Sequence, residues 1–134
     1  MSQENVEIAK RAIDAFNLRD FDGYNELWRQ DAEWFPAMAG IVEGSGGYRG
    51  REGLAAFSRE VGNTWEDFQV IADEYRDVDD RVLLLCRIAG HGKGSGVQVE
   101  SPGGIVFDFG EGKISCARGY LGRSEALRAV GLEE

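Results

Sequence analysis

Basic residues are scarce in this 134-residue chain: 15 Lys and Arg stand against 24 Asp and Glu, a net charge of −9, with an isoelectric point near 4.6. Affinity for nucleic acid comes largely from cations that neutralise phosphates, so no nucleic-acid partner is expected, and an anionic membrane surface is disfavoured for the same reason. Cysteine is nearly missing too. Cys86 and Cys116 are the only two, too few for a disulfide framework. The single histidine, His91, cannot anchor a multi-histidine metal site, so neither a metal nor a cofactor is expected. No apolar run approaches the roughly twenty residues that span a bilayer. The opening Met-Ser-Gln-Glu-Asn shows no basic segment followed by an apolar one, so it does not read as a secretory leader. No G-x-G-x-x-G or G-x-x-x-x-G-K-[ST] run is completed, and the glycine-rich stretch Gly90-His-Gly-Lys-Gly-Ser-Gly96 reads as a hairpin tip rather than a phosphate cradle. These exclusions leave a soluble, cytoplasmic protein as the expectation, with residues 1–134 forming one domain.

What is present is a core-forming composition, 43% hydrophobic and 10% aromatic, too apolar for a disordered acidic tail. A chain of this size buries roughly two-thirds of the surface that its unfolded form exposes. Val6, Ala9, Ile13 and Phe16, with Ala12 beside them, form one apolar stripe at helical spacing, with Ser2 as the cap. A second, shorter helix is capped by Asp20 or Asp22 and shares a face among Phe21, Tyr24, Leu27 and Trp28. Residues 31–36 suit a short strand stopped by Pro36. A loop over 37–50 carries Gly40, Gly44, Gly46, Gly47 and Gly50, a length more often found in a lid or binding loop than in a simple connection. A third helix spans 51–61, with Leu54, Phe57 and Val61 on one face. Tyr48-Arg-Gly-Arg-Glu52 opens it, and Arg51 and Glu52 read as solvent-facing rather than as an anion site.

From Trp65 the period changes to two. Phe68, Val70 and Ala72 alternate with Asp67, Gln69 and Ile71, and residues 77–80 form a turn. The run over 81–89 is apolar enough for a strand covered on both faces. Residues 97–109 alternate again, and Pro102-Gly103-Gly104 suggests a bulge or kink. Gly110-Glu-Gly112 is a tight hairpin turn. Residues 113–121 make the last strand, and Ser124 caps a final short helix ending at Gly131. Helices first and four hairpin-linked antiparallel strands later make an α+β pattern, with Gly103, Gly104 and Gly119 as points where the sheet bends.

The segments Ser2-Gln-Glu-Asn-Val-Glu7, Ala15-Phe-Asn-Leu-Arg-Asp-Phe-Asp22, Asp31-Ala-Glu-Trp34, Tyr48-Arg-Gly-Arg-Glu-Gly53, Trp65-Glu-Asp-Phe68 and Tyr120-Leu-Gly-Arg-Ser-Glu-Ala-Leu127, taken in order, resemble the SnoaL-like branch of the nuclear transport factor 2-like superfamily over about residues 2–132. The resemblance implies an α+β, cystatin-like fold: a cone-shaped, curved antiparallel sheet wrapped around the N-terminal helices. It implies an apolar pocket at the open end and a homodimer on the outer face of the sheet. Ketosteroid isomerases, limonene-epoxide hydrolases, scytalone dehydratases and polyketide cyclases share this fold, so fold does not fix function. Matching the flanks of a ketosteroid isomerase places its base at Pro36, its tyrosine at Ala12 and its protonated acid near Ile105, and none of these can do that chemistry. His91 falls in a hairpin rather than where a cyclase histidine is needed. Asp73, Asp108, Arg87 and Arg118 lack a spacing that identifies an epoxide hydrolase's Asp-Arg-Asp set.

The inward-facing, ligand-binding set expected from this placement is Phe16, Trp28 and Phe57 on helices, and Trp34, Leu84, Cys86, Ile88, Ile105, Phe107, Ala117 and Leu121 on strands. The opposite phase of the last strand turns Cys116, Arg118 and Tyr120 inward instead, because a one-residue slip exchanges the faces. The same aromatic side chains suit plain core packing. Cys86, with no base beside it in sequence, reads as an inert thiol. Arg87 suits an ion pair with Glu100, Asp73 or Asp108 on the outer face. Three readings stay open: a binder of a small hydrophobic molecule; a cofactor-independent acid–base enzyme of isomerase, cyclase, dehydratase or epoxide-hydrolase type, with Asp73, Glu100, Arg118 and Tyr120 as its polar candidates; and a non-catalytic dimeric interaction domain.

Overall fold

The computed structural model describes residues 2–36 and 47–132. The capping side chain of Ser2 and most of the glycine loop, including Gly40, Gly44 and Gly46, lie outside the described residues. In chain order the elements are α1 (Ser2–Leu18), α2 (Phe21–Glu26), β1 (Trp28–Phe35), β2 (Tyr48–Arg49), α3 (Gly50–Thr64), β3 (Trp65–Val78), β4 (Arg81–Gly92), β5 (Gln98–Gly110), β6 (Lys113–Tyr120) and α4 (Arg123–Ala129). The strands form one curved, unclosed sheet in the order β2-β1-β6-β5-β4-β3, with α1 and α3 packed on its concave face. Among the described residues no helix is long and apolar enough to cross a membrane.

The apolar stripe of α1 does what its spacing predicts: Ala9, Ala12, Ile13 and Phe16 are all buried in the inner core. The helix ends in a Schellman-type turn, with Arg19 at φ 61° and the Asp20 amide donating to the Ala15 carbonyl at 2.9 Å. Asp20 then caps α2 by accepting from the Gly23 amide. The sequence reading put Trp28 on this second helix. The helix stops at Glu26 instead, and Trp28 is the first residue of β1.

Two helix-end side chains hold the exposed edge of the sheet. Asn17 donates to the Val70 carbonyl at 2.9 Å and accepts from the Val70 amide at 3.0 Å, standing in for a missing strand. Arg19 donates to the Phe68 carbonyl at 2.6 Å. An edge left unpaired is open to other chains. Asn17→Ala removes both bonds and strips the partners from a part-buried amide and carbonyl, so it should destabilise the protein by about 2 kcal/mol in a urea titration. A loss under about 0.5 kcal/mol would show that water replaces Asn17 without penalty.

The β3–β4 turn, Asp79–Asp80, and the β5–β6 turn, Glu111–Gly112, have positive φ at both positions. These are the primed two-residue turns that match strand twist. The run Val82 to Cys86 is covered on both faces, as expected. Val82, Leu84 and Cys86 point to the inner core, while Leu83 and Leu85 pack with Val106 against Ala126 and Leu127 of α4 and its C-cap Val130 on the outer face.

Three expectations need correction. The β4–β5 ladder runs without a register shift through Pro102, Gly103 and Gly104, so there is no bulge there. Before Gly104 the β5 strand has no β6 partner, so Pro102 interrupts no ladder on that side. The glycine at 104 instead admits α4, whose Ala126 methyl sits where a side chain would stand. The N-cap of α4 is Gly122, and Ser124 lies inside the helix. The sheet is also not wholly antiparallel, because β1 runs parallel to β6.

Candidate functional site

The concave face of the sheet and the two long helices enclose a cavity of about 630 Å³. Its wall is hydrocarbon and aromatic, for a local reason on each element. On α1, Ala12, Ile13 and Phe16 face it because they are the buried stripe. On α3, Phe57 and Val61 face it one turn apart. On the sheet, alternation turns Val70, Ile88, Ile105 and Phe107 inward. Trp65 and Phe68, three residues apart, both reach the wall because the β3 register shifts between Glu66 and Gln69, where Asp67 takes φ 55°.

The aromatic rings touch in series. Tyr24 lies 5.6 Å from Trp28 and 5.7 Å from Phe16, centroid to centroid. Phe16 stacks on Phe57 at 6.3 Å and meets Phe68 edge-on at 6.1 Å. Phe57 in turn takes edge contacts from Trp34 at 5.5 Å and Tyr48 at 5.4 Å.

Of the residues expected to face a ligand, Phe16, Trp28, Trp34, Phe57, Ile88, Ile105, Phe107 and Leu121 line the cavity. Leu84, Cys86 and Ala117 belong to the same inner core cluster but stand behind that lining. The sequence reading missed Tyr24, Tyr48, Glu60, Trp65, Phe68, Val99 and Ser101. Tyr24 and Phe68 were on the right faces by period. For Trp65 the backbone twist at Asp67 was the hidden variable.

The positions matched to an isomerase's catalytic groups, Ala12, Pro36 and Ile105, do line the cavity, so hydrocarbon occupies the places where such an enzyme keeps its acid and base. The outer face takes the charges. Arg87 pairs with Asp73 at 3.1 Å and reaches Glu100 at 3.7 Å, and Arg118 lies over the Phe35 ring at 4.5 Å. Of the polar candidates from sequence, only Tyr120 lines the cavity. His91 is not in the hairpin loop: it sits near the end of β4, with Nδ1 3.8 Å from Asp67, and does not line the cavity. Burial pushes the Cys86 thiol up to about 11, with the Asp73 charge adding to it. At neutral pH it is therefore a thiol, not a nucleophilic thiolate.

The one carboxylate among the described lining residues is Glu60, at the rim. It accepts a short hydrogen bond from Tyr48 Oη. Partial burial, then the Glu60 bond and charge, push Tyr48 up to about 12, so Tyr48 remains a donor at any physiological pH. Tyr24, wholly buried, is likewise raised and stays protonated. Among the described residues no group of three or more His, Cys, Asp and Glu comes together as metal ligands would. Two indole N–H groups, Nε1 of Trp28 and Nε1 of Trp34, are buried without an acceptor among the described residues. Such a donor costs about 1–3 kcal/mol when nothing meets it.

A family model described as the SnoaL-like domain matches residues 9–117. No curated protein matches the chain. Solved structures do. Bal32a, from a soil-derived mobile gene cassette, is 27% identical with a TM-score of 0.76 and 89% of each chain covered. An NTF2-like protein of unknown function from Burkholderia pseudomallei is 19% identical with a TM-score of 0.79, over 96% of this chain and 98% of that one. A putative polyketide cyclase from Xanthomonas campestris pv. campestris is 20% identical with a TM-score of 0.77, over 97% and 98%.

Proposed function

The chain belongs to the SnoaL-like domain family, and we propose that within it this protein binds a small hydrophobic molecule in the cavity between the sheet and helices α1 and α3. The observation that carries this reading is the combination of about 630 Å³ of space with a wall of aromatic and aliphatic side chains. Protein interiors pack like organic crystals and rarely keep voids much larger than a water molecule. A hollow in the size range of small-molecule sites, greasy and bearing a few polar groups, suits a guest. It argues against the third reading, a domain whose own side chains fill the cone.

The acid–base enzyme reading has one observation in its favour, the Tyr48–Glu60 pair at the mouth. Glu60 is exposed to solvent, however, and already engaged by Tyr48. A general base sits within hydrogen-bond reach of the proton it takes at the reacting centre, whereas Glu60 stands on the solvent side with its carboxylate bonded to Tyr48. Binding without turnover is therefore the favoured function. The proposal takes residues 1–134 as one domain, working as a homodimer through the outer face of the sheet, as the family habit implies. The two free thiols suit the reducing cytoplasm.

The test is a titration of the purified chain with Nile red, a neutral polarity-sensitive dye, alongside a native mass spectrum. One dye per chain with blue-shifted emission and a dissociation constant in the micromolar range, roughly −8 kcal/mol, is expected, with a native mass twice that of the chain. Dye emission no different from that with a urea-unfolded sample would refute the binding reading, and a monomeric mass would refute the dimer.

A further inference from the structure

The mouth of the cavity carries a charge of one sign. Glu60 is the only charged side chain among the described lining residues, where no lysine, arginine or histidine stands. It borders the hollow and is also open to solvent, so it stands where the cavity meets water. Tyr48, on β2, lines the cavity as well and donates its hydroxyl proton to the Glu60 carboxylate.

That bond fixes what the mouth can offer a guest. A phenol has one proton to give and a carboxylate has none. Tyr48 has committed its proton to Glu60 and keeps it at neutral pH, because partial burial and then the Glu60 bond and charge push it up to about 12. What is left for an arriving group is acceptor lone pairs, on Tyr48 Oη and on the carboxylate, together with a negative charge. A donor suits them, and a charged donor suits them best. Deeper in, the wall is aromatic and aliphatic, and a charge drawn there would shed its hydration with no counter-charge to meet it. A cation is therefore favoured at the rim alone, with an apolar body inside. The rings beside the rim agree with this: Tyr48 and Trp34 both pack on Phe57, and aromatic faces attract cations. At longer range the chain's net charge of −9 gathers cations from solution, and a cleft with low-dielectric walls focuses that field.

We infer that the occupant is an apolar molecule bearing one cationic nitrogen, with its body in the hollow and its ammonium group at the mouth against Glu60 and Tyr48. This rests on the binding reading above and gives it a charge selectivity. Burial supplies affinity whatever the head group is, and the rim selects its sign. Because Glu60 is exposed, the selection is modest: an exposed ion pair is worth no more than about fivefold in affinity.

Three probes share one apolar cage and differ in head group: 1-adamantanemethylamine, 1-adamantanemethanol and 1-adamantanecarboxylate. At neutral pH the amine is protonated, as a lysine is, and the carboxylic acid is ionised. Each is titrated against Nile red bound to the full-length chain. With the alcohol as reference, Glu60→Gln should weaken the amine by about fivefold and strengthen the carboxylate. Glutamine keeps the size of the side chain and can still accept from Tyr48, and any packing change common to the probes cancels in these ratios. Glu52→Gln makes the same change in net charge in the first turn of α3, roughly 12 Å along the helix, and should leave the ratios as they are. Raising the salt to about 0.5 M should shrink the amine's advantage, because the screening length falls to a few ångströms.

An amine-to-alcohol ratio that is the same in the wild type and in Glu60→Gln would overturn the inference and leave the hydrophobic-binding reading intact. So would a carboxylate that binds as tightly as the amine, a Glu52→Gln variant that shifts the ratios as far as Glu60→Gln does, or Nile red that binds but is displaced by none of the probes. Failure of Nile red and all three probes would remove the binding reading and this inference with it.

Discussion

Phe107→Ala should lower the folding free energy by about 3–5 kcal/mol, the range for deleting a buried Phe. Phe107 is 2% exposed, sits on β5 opposite Val82 of β4 and Ala117 of β6, and stands at the middle of the inner core. Part of its face borders the cavity, so the new void joins space that already exists, and the lower half of the range is expected. Phe57 is the informative contrast. It is half-buried, so Phe57→Ala should cost only about 1–2 kcal/mol of stability. Yet it is the ring that Phe16, Trp34 and Tyr48 all touch, and its loss should weaken Nile red binding by roughly tenfold, or about 1.4 kcal/mol. Urea titration and dye titration of the two variants give a crossed pattern if the aromatic wall divides into floor and lining. Equal stability losses with equal dye binding would mean that Phe57 is ordinary core.

That division also marks where the sequence was readable. The α1 stripe carries its own period, so the faces of Ala9 and Ile13 followed from spacing alone, whereas the unbroken apolar run of β4 showed only that both its faces are covered, and the inward phase of Leu84 came with the family resemblance. Where a local pattern had two solutions, the wrong one was easy to take. Phe21, Tyr24, Leu27 and Trp28 repeat at helical steps, but α2 ends at Glu26 and Trp28 is drawn into β1, where Ile114 of the distant β6 is its partner. No local signal encodes a parallel pairing between strands so far apart in sequence. Tyr48 read as part of the opening of the third helix, and nothing in the sequence singled out Glu60. Only the fold shows them bonded at the cavity mouth. The run Pro102-Gly103-Gly104 suggests a distortion of the strand, but the need for glycine at 104 comes from a neighbouring helix.

That last point leads to a second large effect. Gly104→Val should detach α4 and lower stability by about 3 kcal/mol. A Cβ at 104 would lie closer to the Ala126 methyl than real Cβ atoms approach one another, and it would also stand 3.3 Å from the Leu84 carbonyl. Neither neighbour can swing aside, since one is a helix methyl with no side-chain torsion to move and the other is ladder backbone. At seven residues, α4 is too short to persist on its own, so its hold on the sheet is the burial of Ala126, Leu127 and Val130 against Leu83, Leu85 and Val106. Each Leu or Val side chain taken from that contact forfeits about 1.5–3 kcal/mol, offset in part by the freedom the helix regains. The inner wall lies on the other face of the sheet, so Nile red binding should persist while amide exchange over 123–130 rises toward unprotected rates. Ala126→Gly vacates the space that the added carbon needs. Gly104→Ala combined with Ala126→Gly should therefore be more stable than Gly104→Ala alone, despite the helix penalty of about 1 kcal/mol that glycine brings. If the pair is no better than the single variant, the glycine at 104 serves the strand and not the helix.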